Sequence, residues 1–227
     1  MCFTPLISII IAIFEFLVAI IVLSVYKENK TSKILAVFMF VLGFYQFTQF
    51  MVCKTSYSNL WSTIGFVTYS FLPAIGVYLV NIFVKKIKNP RNLFIAPIIV
   101  TFYTIINHDF IKSVSCNKYF ISVSTYVFTP ENYIYKWVYM IYYFGFIALC
   151  IYYLIQYIRE EKDSIKRKMA LILLIALITS LLPAIILLFI IPGLRSGFPS
   201  IYCEFSVIFT ISTLYIAKLE SKLNKKL

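Results

Sequence analysis

The sequence predicts an all-α polytopic membrane protein, a bundle of seven transmembrane helices, and three observations predict it. The first is composition: the 227 residues are 61% hydrophobic and only 13% charged, whereas a water-soluble domain is expected to carry nearer about 25% charge. The second is segmentation. Apolar runs occupy residues 5–25, 34–52, 60–84, 93–107, 137–158, 169–191 and 201–217, and most approach or exceed the ~20 residues a helix needs to cross the hydrocarbon core. The third is the alternation of basic charge. Segments 26–33, 85–92, 159–168 and 218–227 hold 16 of the 21 Lys and Arg, and segments 53–60, 109–136 and 192–199 hold the other 5. The positive-inside rule assigns the first set to the cytoplasm, with the N-terminus outside and the C-terminus inside.

The first run begins four residues after Met1 with no basic residue before it, and it ends at Lys27 rather than at a small-residue cleavage site. It reads as a retained span, not a removed signal peptide. Asn29-Lys30-Thr31 fits the glycosylation pattern but falls on the cytoplasmic side, where that modification does not occur. Short inner connections place consecutive helices as antiparallel neighbours. Pro73, Pro97 and Pro183 lie inside the third, fourth and sixth runs. Neighbouring helices can satisfy the carbonyls they free, so kinks are expected there. Leu72-Pro73-Ala74-Ile75 recurs as Leu182-Pro183-Ala184-Ile185 three helices later, a weak hint of the inverted repeats of transporters.

Between the fourth and fifth runs, segment 109–136 is long enough for structure of its own. Residues 119–128 are rich in β-branched and aromatic side chains and follow Cys116-Asn117-Lys118, a turn-like tripeptide. A small extracellular β-hairpin or lid is expected there. Tyr133, Tyr135, Trp137 and Tyr139 read as interfacial anchors. Residues 1–217 then make one membrane domain and 218–227 a short basic cytoplasmic tail.

Cys2, Cys53, Cys116 and Cys203 fall at the predicted outer ends or in outer loops, and Cys150 lies within a helix. Four outer cysteines allow three full pairings. A Cys53–Cys116 bond would pin the long outer loop across the bundle; the alternative is that Cys stands where another small apolar residue would do.

Glu15 is the most suggestive side chain. It sits near the middle of the first run, where an ionised acid costs on the order of 2.5–3.5 kcal/mol, and no Lys or Arg lies within any of the seven runs. An uncharged acid, or one hydrogen-bonded in a wet cavity, is expected. Gln46 and Gln49 share a helix face by their spacing of three; Glu204 and His108 fall at similar outer depth. Together with Tyr69, weaker on its own, these residues form a candidate ligand-binding set opening outward. The competing reading makes Glu204 and His108 solvated interfacial residues and the glutamines helix-to-helix glue.

Several functions are disfavoured. The net charge of +12 concentrates in the four cytoplasmic segments, where orientation and attraction to anionic lipid explain it better than nucleic-acid binding does. The single histidine, His108, lacks ligand spacing to Asp109 and Cys116, and neither a phosphate loop nor a Ser/His/Asp context is present. The last run has no interior lysine for a retinal Schiff base; Lys218 is at its end. No enzyme, metal or cofactor is expected.

Trp61, then Tyr69-Ser70-Phe71-Leu72-Pro73-Ala74, then Ile191-Pro192, Phe198-Pro199-Ser200 and Tyr215-Ile216-Ala217-Lys218, resemble the N-terminal seven-helix membrane sensor region of prokaryotic histidine kinases and related signalling proteins. The resemblance spans nearly the whole chain. It implies signal perception at the membrane, passed to a cytoplasmic output domain, and it carries no catalytic residues. Segment 218–227 is too short for a kinase, so the expected role is a stand-alone sensor or receptor-like protein of the cell membrane. It would perceive a small molecule, lipid or ion from outside and signal through its inner loops. Its expected partners are the bilayer, a separate cytoplasmic signalling protein and a second copy in a homodimer. The runner-up is a small transporter or channel using Glu15 as a proton or cation site, with a polar path inward to Asn81 or Gln156.

Overall fold

Each apolar run is helical, the third as two helices, in the computed structural model, which describes residues 4–107, 109–116, 121–126, 133–190 and 198–224. In chain order the helices are α1 (Thr4–Val25), α2 (Lys30–Lys54), α3 (Ser58–Ser70), α4 (Leu72–Val84), α5 (Ile95–Ile106), α6 (Tyr133–Glu160), α7 (Ser164–Ile190) and α8 (Phe198–Asn224). Leu6–Val25, Lys30–Lys54, the α3–α4 unit Ser58–Val84 and Ile134–Glu160 are each long and apolar enough to cross a membrane. At 27 residues each, α7 and α8 reach about 40 Å at a 1.5 Å rise per residue.

Burial in α1 shows how the bundle is organised. Ser8, Ile11, Ala12, Glu15, Val18, Ala19 and Val22 are buried at spacings of three and four, while Leu6, Ile10, Ile13, Leu17 and Ile20 are exposed on the opposite face. Both faces are apolar, as expected where one side meets lipid and the other meets helices. Helix α2 is central: it packs against α1, α3, α4 and α8, and it is buried on more than one side. Small residues allow close approach. A Cβ added to Gly43 of α2 would stand 3.2 Å from Glu15 Cβ and from the Phe16 ring of α1.

The third crossing is broken rather than smoothly kinked. Phe71 closes α3 with its amide on the Thr68 carbonyl at 3.2 Å, and Pro73 sits in the first turn of α4, where a missing N–H costs no intrahelical bond. Tyr142 of α6 donates its hydroxyl to the Ser70 carbonyl at this break, at 2.6 Å. Pro97 is likewise in a first turn, that of α5, which follows a 3-10 segment at Pro90–Phe94; it does not kink a helix middle. α7 runs on as helix past Pro183.

Strands β1 (Ile111–Cys116) and β2 (Ile121–Thr125) pair antiparallel, with Val114 opposite Val123 and Cys116 opposite Ile121. The hairpin leans on α3. At the chain's other end, residues 218–224 form the last turns of α8.

Candidate functional site

The bundle can be followed from the lid end, which carries the hairpin, to the basic end, which carries the Lys- and Arg-rich turns. The lid is fastened twice. Cys53, in the last turn of α2, is disulfide-bonded to Cys116, the end of β1, with Cα atoms 5.8 Å apart. At the hairpin's base the Tyr126 amide donates to the Phe110 carbonyl at 2.7 Å, and the buried Phe110 ring packs edge-on against Phe66 of α3, centroids 4.6 Å apart.

Phe66 belongs to an aromatic layer beneath the lid. Tyr69 is its hub, meeting Tyr45 of α2 at 5.5 Å, Phe66 at 5.2 Å and Tyr143 of α6 at 5.7 Å. Edge-to-face pairs of this kind contribute about 0.5–1.5 kcal/mol each beyond area burial. Ser70 donates to the Phe66 carbonyl at 2.7 Å, and its hydroxyl oxygen stands 3.3 Å from that of Tyr139.

Glu15 is fully buried at 0% exposure. Its Oε1 accepts the Ser206 hydroxyl of α8 at 2.6 Å, and its Cβ lies against Gly43. The acid therefore sits where α1, α2 and α8 meet. Gln46, one turn from Gly43 along α2, is also 0% exposed. Gln49 goes elsewhere: its Nε2 would be 3.5 Å from a Cβ on Gly65 of α3. The spacing of three groups the glutamines on one face, and Gln49 stands at the contact with α3, one of several helices packed against α2. Glu15 thus marks one seam, while Gln49 and Tyr69 lie along the seam with α3. His108 and the side chain of Glu204 lie outside the described residues.

Toward the basic end the helices pack mainly through apolar side chains, with Thr210 and Thr213 of α8 also buried. Val18, Val22, Leu35, Phe38, Met39 and Leu42 are all buried, and the Phe38 ring packs tilted against Phe209 of α8, centroids 4.8 Å apart. Below them lies a contact that the sequence reading missed. Glu220 of α8 is only 8% exposed; its Oε1 accepts the Thr31 amide at 3.0 Å, and its Oε2 accepts the Ser32 amide at 2.8 Å and hydroxyl at 2.6 Å. One turn on, Asn224 donates to Asn29 Oδ1 at 2.7 Å. The residue preceding α2, Asn29, makes no side-chain capping bond of its own, so an acid from another helix supplies the cap, where the helix dipole also favours negative charge.

Ser206 and Glu220 were legible in principle. Ser206, Thr210, Thr213, Ala217, Glu220 and Asn224 recur at three- and four-residue spacing along one face of α8, but ending the span at residue 217 cuts the stripe in two. Among the described residues no group of three His, Cys, Asp or Glu stands where it could hold a metal ion.

A family model described as the N-terminal 7TM region of histidine kinase matches residues 6–224. The chain belongs to this family. No curated protein and no solved structure matches it. Membership of the histidine-kinase 7TM family makes the chain a helical membrane bundle with a membrane sensor role, and the matched stretch runs from α1 to the end of α8, taking in Glu15, Ser206 and Glu220. In that setting α8 is of particular interest, since it holds Glu15 at one level and the start of α2 at another, 14 residues or about 21 Å along its axis.

Proposed function

We propose that this bundle is a multi-pass cell-membrane sensor. It perceives a small molecule, lipid or ion from the lid side and relays the event through α8 and the basic turns to a separate cytoplasmic partner, without catalysing a reaction. The basic turns face the cytoplasm on this reading, and the lid faces outward. The observation that carries it is the packing beneath Glu15. Toward the basic end the polar seat shared by α1, α2 and α8 is followed by buried Val18, Leu35, Phe38 and Met39, while Thr210 and Thr213 of α8 spend their hydroxyls on carbonyls of their own helix, and that suits a seat read from one side better than a path through. A ligand that favours one arrangement of α8 shifts the population only by its difference in affinity for the two arrangements.

The alternative, a small transporter or channel with Glu15 as proton or cation site, is less well supported. Asn81 is occupied at the end of α4, where it both donates to and accepts from Ile87, and Gln156 bonds Glu160 on its own helix. The Leu-Pro-Ala-Ile repeat opens α4 at Leu72 but lies within α7 at Leu182, so its two copies do not occupy equivalent places.

Two readouts test the proposal on the full chain in nanodiscs. Trp61 and Trp137 stand toward the lid end, and their emission would report binding across a panel of small polar and aromatic compounds and metal ions. Hydrogen exchange of the Thr31 and Ser32 amides would report the relay. A compound that shifts the emission and accelerates those amides, both effects being lost in Glu15→Gln, supports the sensor. Proton or cation flux into liposomes that disappears in Glu15→Gln would instead establish the transporter.

A further inference from the structure

Two exposed stripes run side by side on α7 and α8, which pack together. On α7, Leu171, Ile175 and Leu182 are exposed, and Lys168 ends their row. On α8, Ile208 and Ile211 lead to Tyr215, Lys218 and Lys222, all exposed at spacings of three and four. Both stripes turn from apolar to basic at the same end. There Lys168 reaches across the seam: its Nζ stands 5.5 Å from the centroid of the Tyr215 ring, and Lys218 and Lys222 flank Tyr215 along the same exposed stripe of α8.

The nearby acids are committed elsewhere. Glu220 turns inward to α2. Glu161 accepts the Tyr157 hydroxyl and the Asp163 amide and is the acid beside Lys166, while Asp163 caps the first turn of α7. Lysines gathered on one face, as Lys168, Lys218 and Lys222 are beside Tyr215, repel one another, and an anion among them relieves that repulsion.

We propose that Lys168, Tyr215, Lys218 and Lys222 form a binding site for the phosphate headgroup of an anionic phospholipid, with acyl chains lying along Leu171 and Ile211. A phospholipid matches both halves of the surface, the basic cluster and the apolar stripes continuous with it; a soluble anion would use only the first. Basic pockets between helices at the cytoplasmic end of membrane bundles suit such headgroups, and the long lysine stems reach the interface while lying along apolar surface. The lipid would hold α8 against α7 on one face as Glu220 holds it against α2 on the other. This goes beyond the sensor reading and stands without it.

The test uses the full chain in detergent, titrated with phosphatidylglycerol, phosphatidylcholine or inorganic phosphate and read by native mass spectrometry. Lys168→Gln, Lys218→Gln and Lys222→Gln together are compared with a control that removes equal charge elsewhere, Lys86→Gln, Lys88→Gln and Arg91→Gln. Phosphatidylglycerol is expected to remain bound to the wild type and the control and to lose about 100-fold in affinity in the first variant; phosphate alone should not displace it. Tyr215→Phe and Lys168→Gln singly, each weakening binding several-fold, carry the test where the triple variant does not fold. Equal losses in variant and control, equal binding of phosphatidylcholine, or displacement by phosphate would overturn the site.

Discussion

Glu220 on α8 closes the first turn of α2 by accepting both the amide and the hydroxyl of Ser32, at 2.8 and 2.6 Å. An orphan amide at a helix start has to find a partner, and here it finds one 188 residues away in the chain. Removing the acid should expose that dependence. Glu220→Ala is expected to lower stability in detergent by about 2 kcal/mol and to speed hydrogen exchange at Thr31 and Ser32, with Glu220→Gln, which keeps one acceptor, in between. Unchanged exchange at those amides would show that the cap does not hold α2.

The Ser206 hydroxyl and Glu15 should be energetically coupled. Interhelical hydrogen bonds in membranes contribute roughly 0.6–2 kcal/mol, so a double-mutant cycle of Ser206→Ala and Glu15→Ala, followed by thermal unfolding, is expected to give a coupling of about 1 kcal/mol. Additive losses would mean that the two residues act separately.

Reduction of Cys53–Cys116 should free the lid before it frees the bundle. The bond spans 63 residues, and disulfides of this kind contribute about 2–4 kcal/mol. Much of the enclosed segment stays helical in the membrane, however, so the effect should concentrate on residues 109–126. Limited proteolysis within that segment is expected to accelerate in reductant and in Cys116→Ser, while helices α1, α2 and α8 stay protected; simultaneous loss of the whole bundle would contradict this.

Two glycines offer a paired test of packing. A Cβ at Gly65 would meet Thr48 Oγ1 at 2.7 Å, and that oxygen is held by its own bond to the Tyr45 carbonyl at 2.6 Å. Gly65→Ala should therefore destabilise by about 1–3 kcal/mol through overpacking. Gly145 has nothing within 4 Å of its added Cβ, so Gly145→Ala should be neutral or stabilising by up to about 1 kcal/mol through helix propensity. Thermal unfolding of the two variants should move in opposite directions or separate clearly.

The helices, the hairpin segment and the placing of Glu15 inside the bundle could be read from residue order, because length, hydropathy and the rarity of an acid within an apolar run are local properties. The hairpin's first strand was harder to read: β1 alternates Ser113 and Ser115 with apolar residues and lacks the aromatic density that marked 119–128. Pro97 was misleading for a related reason. A run of apolar residues does not show where its first helical turn begins, and the 3-10 segment before α5 puts that proline at a start rather than in the middle.

By itself the sequence determined that the chain is a helical membrane bundle and where its elements lie, since crossing lipid demands long apolar stretches whose backbone bonds are satisfied internally. Only the tertiary structure decided which residues meet. In water the polar face of a helix points outward and so reveals the inner one; in lipid both faces are apolar, and the face of α1 that carries Leu6 and Leu17 differs little in hydropathy from the one that carries Val18 and Val22. The pairing of Glu15 with Ser206, the placing of Gln49 against α3 and the reach of Glu220 to Ser32 depend on the rotation of each helix. That rotation is set by small residues such as Gly43 and Gly65 and by the few polar groups that must find partners.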